Sequence, residues 1–138
     1  MTSQPSPRKT RIISPKVREQ EPGLWSNCLV VGNQFFLAGM VPWDKDGNLV
    51  GGNDPYKQSI ATFENMKTLV EAAGAKMSDV VKITCYLTDI RFRLAFVEAR
   101  KKFFTGDFPA AVVVGNVTLA SADLLVEIDA IGIIGCGG

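Results

Sequence analysis

The residue pattern predicts an α+β domain in which two helices lie on one face of a mixed sheet. Three observations carry that prediction. β-Prone runs recur along the chain, two amphipathic stretches separate the later runs, and the chain closes on a long strand with one uninterrupted apolar face. At 138 residues it makes one domain, with enough length to bury a core.

Residues 1–9 are rich in Ser, Pro and basic side chains and read as a disordered N-terminal tail. The single folded domain spans residues 10–134, and residues 135–138 read as a flexible tail. Residues 10–14 form a short edge strand, closed by Pro15. A loop carrying Trp25 follows, then two β-prone runs at 28–31 and 34–37 separated by Gly32-Asn33, residues that tolerate positive φ and so signal a hairpin. The second run ends in Ala38-Gly39-Met40-Val41-Pro42, where a glycine permits either a plain turn or close approach of a ligand.

Asp54-Pro55 opens a helix, with Asp54 as N-cap and proline tolerated in the first turn. Ile60, Phe63, Met66, Val70 and Ala73 stripe one face of it, and Gly74 ends it. Residues 80–87 are a strand, and a second helix at 92–104 stripes Phe92, Ala95, Phe96, Ala99 and Phe103. The polar face of that helix, with Arg93, Arg100, Lys101 and Lys102, reads as solvated. Residues 110–117 are a strand through Val112, Val113 and Val114. In the last strand, 124–134, Leu124, Val126, Ile128, Ala130 and Ile134 share an apolar face, while Glu127 and Asp129 interrupt the other. A carboxylate in such a place needs water, a donor or a cation. Asp129 reads as solvated at the sheet margin; Glu127, in mid-strand, is either that or a functional group. A sheet covered on one face leaves the other for self-association, so a homo-oligomer is expected.

Composition excludes several functions. The formal charge of +1 gives no reason to expect nucleic acid or a membrane as partner, and no apolar run approaches the length of a membrane span. No secretory signal is visible, and three cysteines do not make a disulfide framework, so a cytoplasmic location is expected. With no histidine there is no Ser-His-Asp triad or Cys-His dyad, and with no CxxC pair no metal site is expected. Cys28 and Cys85 read as small core residues, and Cys136 as an exposed tail residue.

Several short motifs then fall in a familiar order: Gly23-Leu24-Trp25-Ser26-Asn27, Val31-Gly32-Asn33, Ala38-Gly39-Met40-Val41-Pro42, Leu87-Thr88-Asp89, Phe108-Pro109-Ala110 and Leu124 to Ala130. Across residues 12–134 the chain resembles the Rid family, the reactive intermediate deaminases of the YjgF type with the older label L-PSP endoribonuclease. The resemblance implies a chorismate-mutase-like fold and a homotrimer, with a small-molecule ligand in each cleft between subunits and no cofactor. It implies that Glu127 positions the water that hydrolyses an imine. It also implies that Trp25, Ala38, Gly39, Ala111 and Val112 line the substrate site.

The chain departs from the family pattern where the substrate-binding arginine is expected, because Pro109-Ala110 is followed by Ala111-Val112. Ala38 replaces the usual serine, Trp25 the tyrosine, and Val97 a common asparagine. Losing a guanidinium–carboxylate contact typically costs about 2–5 kcal/mol. The expected substrate is therefore an imine, enamine or related reactive metabolite other than the usual amino-acid imines, unless Arg91 or Arg93 replaces the missing cation. The alternative is a non-catalytic ligand-binding or regulatory trimer. A ribonuclease is disfavoured by the absent histidine, the near-neutral charge and the lack of aromatic–basic interleaving.

Overall fold

The computed structural model describes residues 5–138. Its first strand, β1 (Lys9–Ile12), pairs antiparallel with β2 (Cys28–Val31), and Gly32 at φ +62° turns β2 back into β3 (Gln34–Met40). This is the hairpin that Gly32-Asn33 predicts. Asp54 caps helix α1 (Pro55–Ala72) by accepting hydrogen bonds from the backbone N–H groups of Tyr56 and Lys57 at 2.9 and 3.2 Å. Strand β4 (Val80–Leu87), helix α2 (Arg93–Arg100), strand β5 (Ala110–Val114) and strand β6 (Val126–Ile133) complete the chain.

One mixed sheet results, in the order β1-β2-β3-β6-β4-β5. Among the described residues only β4 and β5 run parallel, joined by the crossover through α2 that a parallel pair requires. Strand β6 is central and antiparallel to both β3 and β4. Its alternation holds, with Val126, Ile128 and Ala130 buried beneath the helices. Glu127, Asp129 and Ile131 face the other side, beside Thr84 and Tyr86 of β4. Both helices thus cover one face, and an aromatic cluster seals the space between them. The Phe63 ring lies 5.8 Å from Phe96, 5.1 Å from Phe103 and 5.9 Å from Phe104. Each such pair contributes about 0.5–1.5 kcal/mol beyond its buried area.

Four expectations need correction. The N-terminal strand begins at Lys9, inside the expected tail; residues 1–4 of that tail lie outside the described residues. Helix α2 stops at Arg100 rather than near residue 104. A regular helix rotates consecutive side chains by about 100°, yet Phe103 and Phe104 both pack on Phe63, so the chain leaves helical geometry to aim them there. Arg100 is not on the solvated face: its guanidinium carbon lies 5.3 Å from the Phe96 ring centroid and 5.9 Å from that of Phe108. Residues 135–138, expected to be flexible, form a turn tied to Asp79. That carboxylate is only 3% exposed and accepts the Gly137 N–H at 2.8 Å and the Lys76 N–H at 2.9 Å. A buried carboxylate needs such donors, and the C-terminal turn supplies one.

Gln58 joins the layers. Fully buried in the first turns of α1, it donates to the carbonyls of Gly52 at 2.7 Å and Asp123 at 2.9 Å, and accepts the Leu125 N–H at 2.8 Å. Gln58→Leu leaves three backbone groups without partners in an apolar setting. It is expected to lower stability by about 2–5 kcal/mol. Urea unfolding should show this as a lower midpoint at unchanged slope.

Candidate functional site

The ladder between β3 and β6 breaks step next to the glycine that closes β3. Leu37 pairs with Ala130 but Met40 pairs with Ile128, so β3 carries one extra residue there, a β-bulge around Ala38 and Gly39. The bulge brings the backbone at Gly39 onto the Glu127 carboxylate. A Cβ at position 39 would lie 2.6 Å from Glu127 Oε2 and 2.7 Å from its Cδ, closer than any real contact. Glycine at this position leaves room for the Glu127 carboxylate; the constraint is proximity, not backbone twist.

Gly39 and Glu127 form one wall of a solvent-open cleft of about 100 Å³, which Arg18, Trp25, Trp43 and Asn65 also line. Asn27, 5% exposed, sets the loop that forms another wall. Its side chain accepts from Trp25 Nε1 at 3.3 Å and donates to the Arg18 carbonyl at 2.8 Å, while its own carbonyl accepts the Ala38 N–H at 2.9 Å. Asn65, on α1, donates to the carbonyls of Val41 and Trp43 at 2.9 and 2.8 Å and fixes the segment after β3.

Glu127 is half-buried, and among the described residues its carboxylate has no hydrogen-bond or ion-pair partner. Burial, and then the charge of Asp129 two residues on, push its carboxyl above the usual carboxylate range. Tyr86 sits directly across from Glu127 on β4, and Thr84 across from Asp129. An unpartnered carboxylate with raised proton affinity, open to a cleft, can accept a proton from water or a substrate.

The cleft thus gathers Glu127, Gly39 and Trp25, with Ala38 in the same bulge. It does not gather Ala111 and Val112. Both are exposed on the edge strand β5, two strands from Glu127. Ala111 pairs with Ile83 on the helix-covered face, and Val112 pairs with Thr84 on the open face. Val97 is half-buried against the core. Neither Arg91 nor Arg93 lines the cleft, and Arg91 is held by Asp89 through contacts of 2.6 to 3.0 Å. Arg18, Trp43 and Asn65 are cleft residues that no sequence motif marks.

Other chemistries find no support. Burial pushes the Cys28 thiol up to about 11 and the Cys85 thiol up to about 12, so both are poor nucleophiles. Among the described residues no cluster of three His, Cys, Asp or Glu could hold a metal ion, and no helix is long and apolar enough to cross a membrane.

Fold and cleft together define a small α+β protein whose candidate site combines one strand carboxylate with two tryptophans from separate loops. Comparison with known proteins makes the class specific: residues 18–134 match the model of the endoribonuclease L-PSP family, and the chain belongs to that family, which includes the Rid and RutC-type proteins. It is 36% identical over 124 residues to 2-iminobutanoate/2-iminopropanoate deaminase of Dermatophagoides farinae, covering 90% of this chain and 96% of that one. Among solved structures it is similar to RidA of an Antarctic Psychrobacter, with TM-score 0.81, 29% identity and coverage of 91% of this chain and 99% of that one. It is also similar to Escherichia coli TdcF with bound serine, with TM-score 0.81, 26% identity and coverage of 90% and 98%.

Gly39→Ala should fold normally, since the atoms it meets belong to the free end of Glu127, but it should displace that carboxylate. A melting temperature close to wild type with loss of any Glu127-dependent activity is the expected result. Carbon-detected NMR titration should place the Glu127 carboxyl above its ordinary 4.5, and Asp129→Asn should lower it. The sign for stability follows from linkage. A raised carboxyl makes ionised Glu127 a cost to the folded state above its folded pKa. Glu127→Gln should therefore stabilise the protein near neutral pH. That gain should vanish as the pH falls through the raised pKa to below 4.5.

Proposed function

We propose that the protein is a Rid-type hydrolase that removes ammonia from an imine, an enamine or a related reactive metabolite. The observation that carries this reading is the partnerless, half-buried Glu127 carboxylate held against Gly39 in the cleft. With the imine entering as its iminium, Glu127 takes a proton from water as the oxygen attacks the C=N carbon, giving a carbinolamine. Glu127 returns that proton to nitrogen and then takes the hydroxyl proton as the C–N bond breaks, releasing a carbonyl compound and ammonia; one water is consumed and the iminium's proton passes to solvent. General-base help of this kind is worth about 10²–10⁴-fold. The deaminase name of one relative and the serine bound to TdcF support a small nitrogen-bearing substrate.

The working unit we propose is a homotrimer in the cytoplasm. Phe36 and Ile131 are exposed on the uncovered sheet face, and Val112 on the edge strand β5, a combination that favours burial against further copies. Within one chain Ala111 and Val112 lie far from the cleft in the sheet order. A neighbouring copy docking its β5 edge would supply them as substrate-lining residues beside Trp25, Ala38 and Gly39. None of these side chains brings a charge from β5, so turnover of the usual amino-acid imines should be slow.

The test is hydrolysis of a panel of preformed N-unsubstituted ketimines, followed by ammonia release, together with light scattering at low micromolar concentration. Acceleration of at least one ketimine, abolished by Glu127→Gln, and a mass near three times 14.9 kDa are expected. Binding without turnover across the panel would replace the hydrolase by the non-catalytic ligand-binding alternative. A monomer would remove the shared cleft.

A further inference from the structure

Arg18 is a cation that lines the Glu127 cleft. Its guanidinium carbon lies 5.5 Å from the Trp43 ring centroid, and the group presses so closely on Gly47 that any side chain there would collide with it. Its backbone carbonyl is held by Asn27. Elsewhere Arg11 pairs with Glu19, Arg91 with Asp89, and Lys101 with Glu98, but Arg18 pairs with no carboxylate among the described residues. A guanidinium with no carboxylate partner keeps N–H donors available, and its planar fork suits a carboxylate.

Arg18 and Glu127 do not touch, and the charge that perturbs Glu127 comes from Asp129 rather than from Arg18. A molecule that reaches both must therefore span the cleft. Trp25 and Trp43 line the same cleft.

We propose that the cleft selects anionic imines or enamines in which a planar apolar segment separates the negative charge from the C=N carbon. Arg18 holds the anion, Trp25 and Trp43 flank the planar segment, and the reacting carbon lies at Glu127. An imine derived from an amino acid carries its carboxylate on the reacting carbon itself, a shorter separation than that of the proposed substrates. The proposal rests on the hydrolase reading for the role of Glu127, but the anion preference it predicts is measurable without turnover.

The probes are three carbonyl compounds that mimic the product: 4-formylbenzoate, its neutral isostere 4-formylbenzamide, and 2-oxobutanoate. Calorimetry or NMR titration of the full-length wild-type protein should find 4-formylbenzoate bound about tenfold or more tighter than either of the others. Arg18→Gln should erase the preference of acid over amide, and an unchanged circular dichroism spectrum and melting temperature should show that the variant is folded. Arg18→Lys should recover only part of the preference, because it restores the charge without the planar fork. Equal binding of acid and amide by wild type, or a preference that survives Arg18→Gln, would overturn the proposal. If no ketimine is turned over yet the Arg18-dependent preference is present, the hydrolase reading fails and the anion site stands.

Discussion

The side-chain amide of Gln58 is the contact on which the cleft depends. Strand β6 enters the centre of the sheet from a loop, and side chains alternate faces with a period of two. A slip of one residue would send Glu127 under the helices and Ile128 into the open. By binding the carbonyl of Asp123 and the N–H of Leu125 at once, Gln58 fixes where β6 starts. Its third bond, to Gly52, ties that start to the loop before α1. The helix that covers the sheet thereby sets the register of the strand that bears the candidate base.

The bulge at Ala38 and Gly39 makes the complementary adjustment on β3. Without it the β3 backbone would follow the regular spacing of the sheet beside Glu127. With it, the glycine closes on the carboxylate from the side, while Asn27 and Asn65 hold the loops that form the other walls. The cleft walls are therefore positioned by hydrogen bonds from buried or half-buried amides to backbone, which resist rearrangement because each broken bond leaves a polar group unpaired. The apolar core, including the Phe63 cluster, supplies most of the stability but does little to aim these groups.

Much of the fold was legible because it is encoded locally. The Gly32-Asn33 turn, the Asp54 cap and the apolar alternation of β6 each follow from neighbouring residues, and Glu127 stands out, with Asp129, as a charge interrupting an apolar strand face. What was illegible depends on contacts distant in sequence. The early end of α2 follows from Phe103 and Phe104 both reaching Phe63 on another helix. The docking of residues 135–138 depends on Asp79, 58 positions before Gly137. Arg100 reads as part of a basic helix face until Phe96 and Phe108 are seen against its guanidinium. Arg18 lies in a segment without periodicity, and only Trp43 and Gly47, far along the chain, reveal where its side chain rests.

Keeping Glu127 and Arg18 apart resolves a conflict in the electrostatics of the cleft. A direct ion pair would hold the carboxylate ionised and lower its proton affinity, making it a weaker base, and would consume the cation's donors. Separated, each group keeps a distinct capacity: Glu127 is pushed toward protonation by burial and by Asp129, and Arg18 keeps its charge while resting on an aromatic face. The cost is a charged group on each side of the cleft without a partner of opposite sign. Solvent access and the Trp43 stack offset part of that cost for Arg18. For Glu127 the offset is partial neutralisation, since a carboxyl with raised pKa is ionised over a narrower pH range. Two such groups facing one cleft are each left with unmet demand, one for a proton and one for an anion, and a single molecule carrying both features meets the two together.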